Sequence, residues 1–270
     1  MFIYCDQLNR EIVLPSTPKR IVSIVPSQTE LLFDLGLTDE IAGISKFCVH
    51  PEEKVKKVVK VGGTKQLDIE KINSLHPDLI IANKEENERS QVETLMSICP
   101  VWISDIKDMT GAINMIERVG ELVGKAIEAR RLAEEIARKF ENLTVNPSNK
   151  RVAYFIWRKP YMVAGKGTFI DSMLQRCGLK NAFELKRYPE INPERLLEAN
   201  PDLILLSSEP YPFRERHIDE FQAIVPHSII KLVDGELFSW YGSRLLYAPE
   251  YFRCLLAEFD GVGQPNQPRT

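Results

Sequence analysis

Short, nearly continuous apolar runs alternate with amphipathic segments along most of this 270-residue chain. Residues 20–25 and 79–82 are two such runs, which are typical of strands buried on both faces of a parallel sheet. A helix is predicted after the first run, capped by Ser27 or Thr29 and closed by Gly36. Strands that alternate with short helices predict an α/β fold with mostly parallel sheets.

The two halves of the chain repeat one pattern. Residues 70–82 match residues 194–206 at a constant offset of 124, with Glu, Pro, Asp, Leu and Ile at equivalent places. Residues 19–22 likewise match residues 150–153. Because these matches occur in the same order, they predict two similar α/β lobes.

Helix-favouring residues fill the segment between the two halves. Residues 125–140 carry apolar side chains at helical spacing, namely Ile127, Leu132, Ile136 and Phe140. Gly120 and Gly124 are the predicted breaks before this segment. We therefore expect one long, rigid α-helix to join the lobes. The predicted domains are an N-terminal lobe at 1–105, a helical connection at 106–149 and a C-terminal lobe at 150–270.

Composition and charge narrow the possible function classes. The 35 basic and 38 acidic side chains give a net charge of -3, which offers no electrostatic reason to expect nucleic acid. The longest apolar run, residues 152–157, is far shorter than the ~20 residues of a membrane-spanning helix. No phosphate-binding glycine loop, nucleophile elbow or paired His–carboxylate motif is present, so the sequence predicts no enzyme.

The first residues, Met1 to Asp6, contain neither the basic nor the apolar region of a secretion signal. Taken as written, the chain is therefore expected in the cytoplasm. It is expected in the periplasm if a signal segment precedes it.

Several motifs resemble those of a known family. They are Arg20 to Leu32 with Gly36-Leu37, Val61-Gly-Gly-Thr64, and Glu70 to Ile81. Together they are similar to the helical-backbone (class III) periplasmic substrate-binding proteins of ABC importers, and most similar to the vitamin B12-binding branch, over residues 10–258. The resemblance implies two Rossmann-like lobes that hold a corrinoid, haem or ferric siderophore in the cleft between them. It also implies a monomer with no intrinsic cofactor.

The resemblance places ligand contacts in loops at the carboxyl ends of strands, which is the usual ligand position in open α/β sheets. The candidates are Phe47, His50, Thr64, Lys65, Trp157, Arg158, Tyr161, Tyr188, Trp240, Tyr241 and Arg244. Thr64 and Tyr188 stand where the vitamin B12-binding branch has tryptophans. For the large aromatic residues, packing in a core is the alternative interpretation.

Charged residues suggest further roles. Lys65, Arg158, Arg187 and Arg244 could form a basic surface for an anionic chelate, or could be scattered surface bases. No metal site is predicted, although His50 is a candidate axial ligand to a metal carried by the ligand.

Glu70 and Glu194 occupy equivalent places in the repeat. By resemblance they would dock onto arginines of the importer's permease, one from each lobe. Each would also stabilise the dipole of its own helix, and this local role explains the two glutamates equally well.

The sequence is also compatible with a second hypothesis for the function. A cytosolic enzyme or chaperone that handles a corrinoid or tetrapyrrole could use the same fold, since fold alone does not fix function.

Overall fold

The computed structural model describes residues 1–145 and 149–261. Its Cα packing divides the chain into two units. Unit 1 consists of Met1–Arg138 and Tyr241–Leu245. Unit 2 consists of Lys139–Trp240 and the described residues from Leu246 onward. The domain boundaries expected above remain a proposal, and the return of residues 241–245 to unit 1 has no counterpart in the sequence pattern.

Unit 1 is built on a parallel sheet. Its strands are β1 (Phe2–Cys5), β2 (Glu11–Leu14), β3 (Ile21–Ser23), β4 (Ile41–Ile44), β5 (Val59–Lys60), β6 (Leu79–Asn83) and β7 (Val101–Ser104). Its helices are α1 (Pro26–Asp34), α2 (Glu52–Val55), α3 (Ile69–Ser74), α4 (Arg89–Met96) and α5 (Met109–Leu122). The main sheet of unit 1 has the strand order β5-β4-β3-β6-β7, and all neighbouring strands are parallel. Strands β1 and β2 form a separate antiparallel hairpin.

Unit 2 has a mixed sheet with a parallel centre. Its strands are β8 (Arg151–Trp157), β9 (Tyr161–Val163), β10 (Lys180–Asn181), β11 (Glu190–Ile191), β12 (Leu203–Ser207) and β13 (Ile229–Val233). Its helices are α7 (Phe169–Arg176), α8 (Pro193–Ala199), α9 (Ile218–Ile224), α10 (Gly235–Ser239) and α11 (Ala248–Gly261). Among these strands the order is β11-β9-β8-β12-β13, where β9 runs antiparallel to β8 and β10 pairs with the start of β8. The α/β prediction is confirmed.

The repeat seen in the sequence has a common structural basis. The Asp78 carboxylate accepts hydrogen bonds from the backbone N–H groups of Lys19 and Arg20 at 2.7 and 2.9 Å. In unit 2, the Asp202 carboxylate accepts one from the Arg151 N–H at 2.6 Å. Each aspartate thus ties the start of β6 or β12 to the start of the central strand beside it.

The turn before each of these aspartates is also shared. His76 and Asn200 both adopt left-handed backbone conformations, with φ of 48° and 46°. Asn200 is the C-cap residue of α8, and His76 directly follows Leu75, the C-cap residue of α3. The repeat therefore preserves one helix-to-strand turn.

The predicted cap of α1 is wrong. The N-cap residue is Val25, and no side chain caps the helix there. The Thr29 hydroxyl instead lies within hydrogen-bond distance of the Ser23 Oγ at 2.7 Å and of the Val25 carbonyl oxygen at 3.0 Å. Gly36 closes the helix as predicted, with φ of 87°.

A continuous helix, α6 (Ala126–Glu141), begins in unit 1 and ends in unit 2. Its position confirms the predicted connecting helix, but two details of the prediction are wrong. Ile127 is 68% exposed, because the buried face consists of Ala129, Ala133, Ile136 and Phe140. Gly120 lies inside α5 rather than at a break, whereas Gly124, with φ of 73°, ends that helix region.

Gly120 has a steric role. A Cβ atom at Gly120 would overlap the methyl group of Ala129 in α6 and lie 3.0 Å from the Lys125 carbonyl oxygen. A glycine is therefore needed where α5 packs against Ala129 of α6.

We expect Gly120→Ala to lower the free energy of unfolding by about 1–3 kcal/mol, because overpacking outweighs the better helix propensity of alanine. Gly111→Ala in the same helix is the matched control, since a Cβ there would lie 3.5 Å from its nearest neighbour, Asp108 Oδ1. Gly111→Ala should raise stability by up to about 1 kcal/mol. Urea denaturation of both variants measures the difference, and equal effects would contradict the steric explanation.

Candidate functional site

Small polar side chains line the carboxyl edge of the unit 1 sheet. Ser23, Asn83 and Ser104 are the last residues of their strands, and all three are buried. The Asn83 Nδ2 donates to the Ser104 Oγ at 2.9 Å, and the Gln28 amide of α1 donates to the same oxygen. These hydrogen bonds fix the loops that follow the strands.

A buried thiol extends this network. The Cys48 Sγ donates to the Thr29 Oγ1 at 3.1 Å and lies 3.3 Å from the Ser45 Oγ. Burial raises the pKa of the Cys48 thiol above its ordinary value, although its hydrogen bonds with Ser45 and Thr29 oppose this. The thiol is therefore neutral near pH 7 and serves as a packed, hydrogen-bonded group.

Residues 241–245 are held in unit 1 by charged and polar contacts. The Arg244 Nε and Nη2 donate to the two Glu30 carboxylate oxygens at 2.9 and 2.6 Å. The Tyr241 hydroxyl donates to the Glu86 Oε1 at 2.5 Å. A Cβ at Gly242 would lie only 2.9 Å from the Ser27 carbonyl oxygen, so the backbone approaches α1 closely there.

The Arg244–Glu30 pair is largely buried, with 15% and 10% of the two side chains exposed. Burial raises the pKa of Glu30 above its ordinary value, although the hydrogen bonds and charge of Arg244 oppose this. The predicted ligand contact Arg244 is thus already bound to a carboxylate of its own unit.

In unit 2, Arg158 follows β8 and binds Glu220 of α9. The Arg158 Nε and Nη2 donate to the Glu220 Oε2 at 2.9 and 2.6 Å, and the Tyr161 hydroxyl donates to the Glu220 Oε1. Partial burial by itself would raise the pKa of Glu220. The hydrogen bonds from Arg158 and Tyr161 outweigh this effect, so the pKa of Glu220 lies below its ordinary value. Glu220 is therefore ionised and neutralises Arg158.

An aromatic cluster lies beside this pair. The Trp157 ring meets the Tyr211 ring edge-on at 5.7 Å between centroids, while 39% of Trp157 remains exposed. His217 packs against the same Tyr211 ring and is only 4% exposed. The His217 Nδ1 accepts a hydrogen bond from the Arg214 N–H at 2.9 Å.

The other ring nitrogen of His217 also has polar neighbours. Its Nε2 lies 3.4 Å from both the Tyr211 hydroxyl and the Arg216 Nε. Desolvation, with the charges of Arg158 and Arg216, lowers the pKa of His217. His217 is thus a neutral, buried packing residue.

Trp240, predicted as a ligand contact, is only 6% exposed. Its Nε1 donates to the Glu209 Oε1 at 2.8 Å, and the Ser239 hydroxyl donates to the same oxygen at 2.7 Å. Burial, and then the charge of Glu236, raise the pKa of Glu209 above its ordinary value, although both hydrogen bonds oppose this.

We expect Glu209→Gln to stabilise the protein above mildly acidic pH, because the amide oxygen can keep both hydrogen bonds without a buried charge. A carboxyl group whose pKa is higher in the folded than in the unfolded protein destabilises the folded state when it is ionised. This cost reaches its full size once the pH has risen above the folded-state pKa. The gain of the variant should therefore be absent below the ordinary glutamate pKa of about 4.3 and grow as the pH rises. Thermal midpoints across pH 4 to 8 test this, with the exposed Glu215→Gln as control. A gain that is the same at every pH would contradict it.

The remaining predicted contacts are more open. Phe47 is 51% exposed, and the Lys46 ammonium lies 5.1 Å from its ring centroid. The Lys65 Nζ donates to the Glu85 carbonyl at 2.7 Å. The Thr64 carbonyl accepts from the Asn87 Nδ2 at 3.1 Å.

His50 and Tyr188 are half-buried, and His50 precedes a cis peptide bond to Pro51. In the part of the chain that the structure describes, no cluster of three or more His, Cys, Asp or Glu side chains could hold a metal ion. The role of His50 as an axial ligand stays a prediction.

Glu70 and Glu194 hold the same position in their helices. Each is exposed and lies two residues after the N-cap residue, which is Asp68 in α3 and Asn192 in α8. Each N-cap side chain accepts a backbone hydrogen bond from the first turn. The helix N-termini are thus already capped without the glutamates.

Sequence reasoning missed the carboxylates that pair with its candidates: Glu30, Glu86, Glu209 and Glu220. Glu30 and Arg244 lie 214 residues apart, and no motif links them. One local signal was available for Asn83 and Ser104, since each of them directly follows an apolar strand run. Ser23 lies inside the run at residues 20–25, so the pattern does not mark it.

Comparison with known proteins decides the family. The periplasmic binding protein family matches residues 21–224. The chain belongs to this family. The predicted resemblance and the prediction of a binding protein rather than an enzyme are therefore confirmed.

Individual relatives fit this assignment. The ABC transporter substrate-binding lipoprotein YvrC of Bacillus subtilis, itself uncharacterized, is 28% identical over 260 residues, which cover 91% of this chain and 82% of YvrC. The vitamin B12-binding protein of Pectobacterium carotovorum is 24% identical and covers 86% of each chain. These names favour the importer hypothesis over the cytosolic enzyme or chaperone.

A solved structure shows the same fold. The periplasmic heme-binding protein RhuT of Roseiflexus sp. RS-1 has a TM-score of 0.74 at 21% identity, over 91% of this chain and 99% of RhuT.

No helix among the described residues of this periplasmic binding protein family member is both long enough and apolar enough to cross a bilayer.

Proposed function

We propose that this protein binds a large metal chelate, a corrinoid or a haem- or siderophore-like compound, and delivers it to an ABC importer. The observation that carries the proposal is an exposed aromatic ring at the carboxyl edge of each sheet: Phe47 in unit 1 and Trp157 in unit 2. Exposed rings at this edge suit the flat apolar face of a macrocycle. The names of the relatives, which include vitamin B12-binding and heme-binding proteins, support the same ligand class.

The candidate residues divide into two groups. We infer that the open ones contact the ligand: Phe47, His50, Thr64, Lys65, Trp157, Arg158, Tyr161 and Tyr188. Trp240 and Tyr241 are buried and Arg244 is largely so, and they are bound to Glu209, Glu86 and Glu30 respectively. These three are positioning residues that hold the 239–245 loop in place.

Ligand binding is tested with the purified protein and added cyanocobalamin, haemin or a ferric siderophore. A ligand at one hundred times its Kd should stabilise the protein by about 2.7 kcal/mol, which a thermal melt detects. Phe47→Ala and Trp157→Ala should each weaken binding. Phe2→Ala is the matched control, because Phe2 is 53% exposed but lies on the separate β1–β2 hairpin. No shift with any chelate at large excess would refute the proposal.

The partner is an ABC permease. We infer that Glu70 and Glu194 dock onto it, one from each unit, since both carboxylates are exposed and neither is needed as a helix cap. Glu70→Lys and Glu194→Lys should leave chelate binding unchanged and abolish uptake by the reconstituted importer. The exposed Glu121→Lys of α5 serves as control. Normal uptake by the double variant would refute the docking role.

We further infer that the protein acts outside the cytoplasm, as a periplasmic or lipid-anchored monomer, in line with the compartments named for its relatives.

A further inference from the structure

Trp157, the exposed ring of the proposed ligand site in unit 2, ends strand β8 and is 39% exposed. In the described part of the chain its indole N–H forms no hydrogen bond, whereas those of Trp102 and Trp240 donate to a backbone carbonyl and to the Glu209 carboxylate. The orientation of the Trp157 ring therefore depends on packing. Of the aromatic rings in the described chain, Tyr211 is the one that packs against it, edge-on at 70° and 5.7 Å between centroids.

The sheet topology explains how Tyr211 reaches Trp157. Strands β8 and β12 are parallel neighbours, with Phe155 beside Leu206, so their carboxyl ends lie together. Tyr211 belongs to the segment that follows β12, and its backbone N–H donates to the carbonyl of Ile156 at 3.3 Å. Because Ile156 directly precedes Trp157, this hydrogen bond holds the two aromatic residues next to each other.

The Tyr211 ring is itself held by the core of unit 2. It packs against the rings of Phe213 at 4.8 Å and His217 at 5.6 Å, and its hydroxyl lies 3.4 Å from the His217 Nε2. Phe213 and His217 are 5% and 4% exposed, and Phe213 in turn contacts the fully buried Phe221 at 5.9 Å. A series of packed rings thus runs from the core to the exposed ring of Trp157, with Tyr211 as its last support.

A ring held in this way costs a ligand less to bind than a mobile one. A partly exposed indole without a hydrogen bond has several rotamers open to it, and it loses that freedom when a ligand covers it. The contact with Tyr211 restricts these rotamers before any ligand arrives.

We propose that Tyr211 is a positioning residue of the ligand site: it holds the Trp157 ring in one orientation, so that a flat chelate meets a surface already in place. The inference rests on the proposed function, and it adds a residue to the candidates named from the sequence. Tyr211 makes no ligand contact of its own in this account. Its effect on affinity therefore passes entirely through Trp157.

The mobility of the Trp157 ring can be measured without a ligand. Trp102 and Trp240 are 0% and 6% exposed, so the tryptophan emission that acrylamide quenches comes mainly from Trp157, and its loss in Trp157→Phe verifies this assignment. In the unaltered protein we expect the anisotropy of that emission to decay only with tumbling of the whole molecule. Tyr211→Leu should add a faster decay from local motion on the picosecond to nanosecond scale. Fast local motion in the unaltered protein, or an unchanged decay in Tyr211→Leu, would overturn the inference.

Ligand affinity tests the consequence for binding. The probe is whichever of cyanocobalamin, haemin and the ferric siderophore raises the thermal midpoint most. Tyr211→Leu should raise its Kd about three- to tenfold, and Tyr211→Phe, which keeps the ring, should restore most of the affinity. Tyr247→Leu is the matched control, because Tyr247 is 63% exposed and forms no ring contact among the described residues. It should leave the Kd unchanged, and an equal rise in both leucine variants would contradict the proposal.

A double-mutant cycle separates positioning from a general structural effect. In a Trp157→Ala background, Tyr211→Leu should cause no further loss of affinity, because the ring that Tyr211 positions is gone. The same loss in both backgrounds would show that Tyr211 acts on the ligand or on the fold directly, and would overturn the inference. If Tyr211→Leu does not fold, Tyr211→Met takes its place, since the flexible methionine side chain adapts to the space left by the ring.

The two sets of measurements also separate this inference from the proposed function. No binding of any of the three chelates would refute the proposed function and, with it, the role of Tyr211 in binding. Failure of the anisotropy test or of the double-mutant cycle, with chelate binding intact, would overturn the inference about Tyr211 alone.

Discussion

Replacing Arg244 with alanine is expected to lower the free energy of unfolding by about 3–5 kcal/mol at neutral pH. The change leaves the Glu30 carboxylate, whose side chain is 10% exposed, without its bidentate partner. An unpaired buried charge costs far more than the pair contributes. Chemical denaturation at pH 7 and at mildly acidic pH measures the effect.

The pH dependence separates this explanation from simple loss of packing. Burial already raises the pKa of Glu30, and removing Arg244 would raise it further. A protonated Glu30 carries no charge, so the destabilisation should shrink as the pH falls through that raised value. A loss that stays the same across this range would contradict the unpaired-charge explanation.

Arg253→Ala is the matched control. Arg253 and Glu250 form a salt bridge of similar length, but 67% and 66% of their side chains are exposed. Because water and salt screen an exposed pair, its removal should leave stability almost unchanged. Similar losses in the Arg244 and Arg253 variants would show that burial does not decide the effect.

Ile136→Ala should lower the free energy of unfolding by about 2–5 kcal/mol, because the truncated side chain leaves a cavity beneath α6. Ile136 is fully buried, on the face shared with Ala133 and Phe140. Ile127→Ala, in the same helix, is the control, because that side chain is 68% exposed. The control should change stability by no more than about 0.5 kcal/mol. Urea titrations of the two variants make the comparison, and equal losses would mean that α6 buries a different face.

The error at Ile127 shows a limit of periodicity. An apolar repeat predicted helix α6 correctly, yet small residues, Ala129 and Ala133, form half of its buried face. Their burial depends on how closely the neighbouring helix approaches. At Gly120, that approach is close enough to exclude a methyl group. Hydrophobicity along the chain carries no information on this distance.

The candidate site shows a similar division. Sequence reasoning named Arg158, Trp240 and Arg244, and it assigned the arginines to an anionic ligand. The structure pairs those arginines with Glu220 and Glu30 and buries Trp240 against Glu209. These partners are separated by 62, 214 and 31 residues, so no local spacing pattern could reveal them.

By itself the sequence determined the strand–helix alternation, the internal repeat and the family. These depend on local backbone preferences, on burial of strands and on turns such as those at His76 and Asn200, all of which leave a pattern over short stretches of chain. Only the tertiary structure decided which charges are already satisfied, and hence which chemistry remains for a ligand. Pairing between side chains depends on distances in the folded molecule, and residues far apart along the chain acquire those distances only when the chain folds.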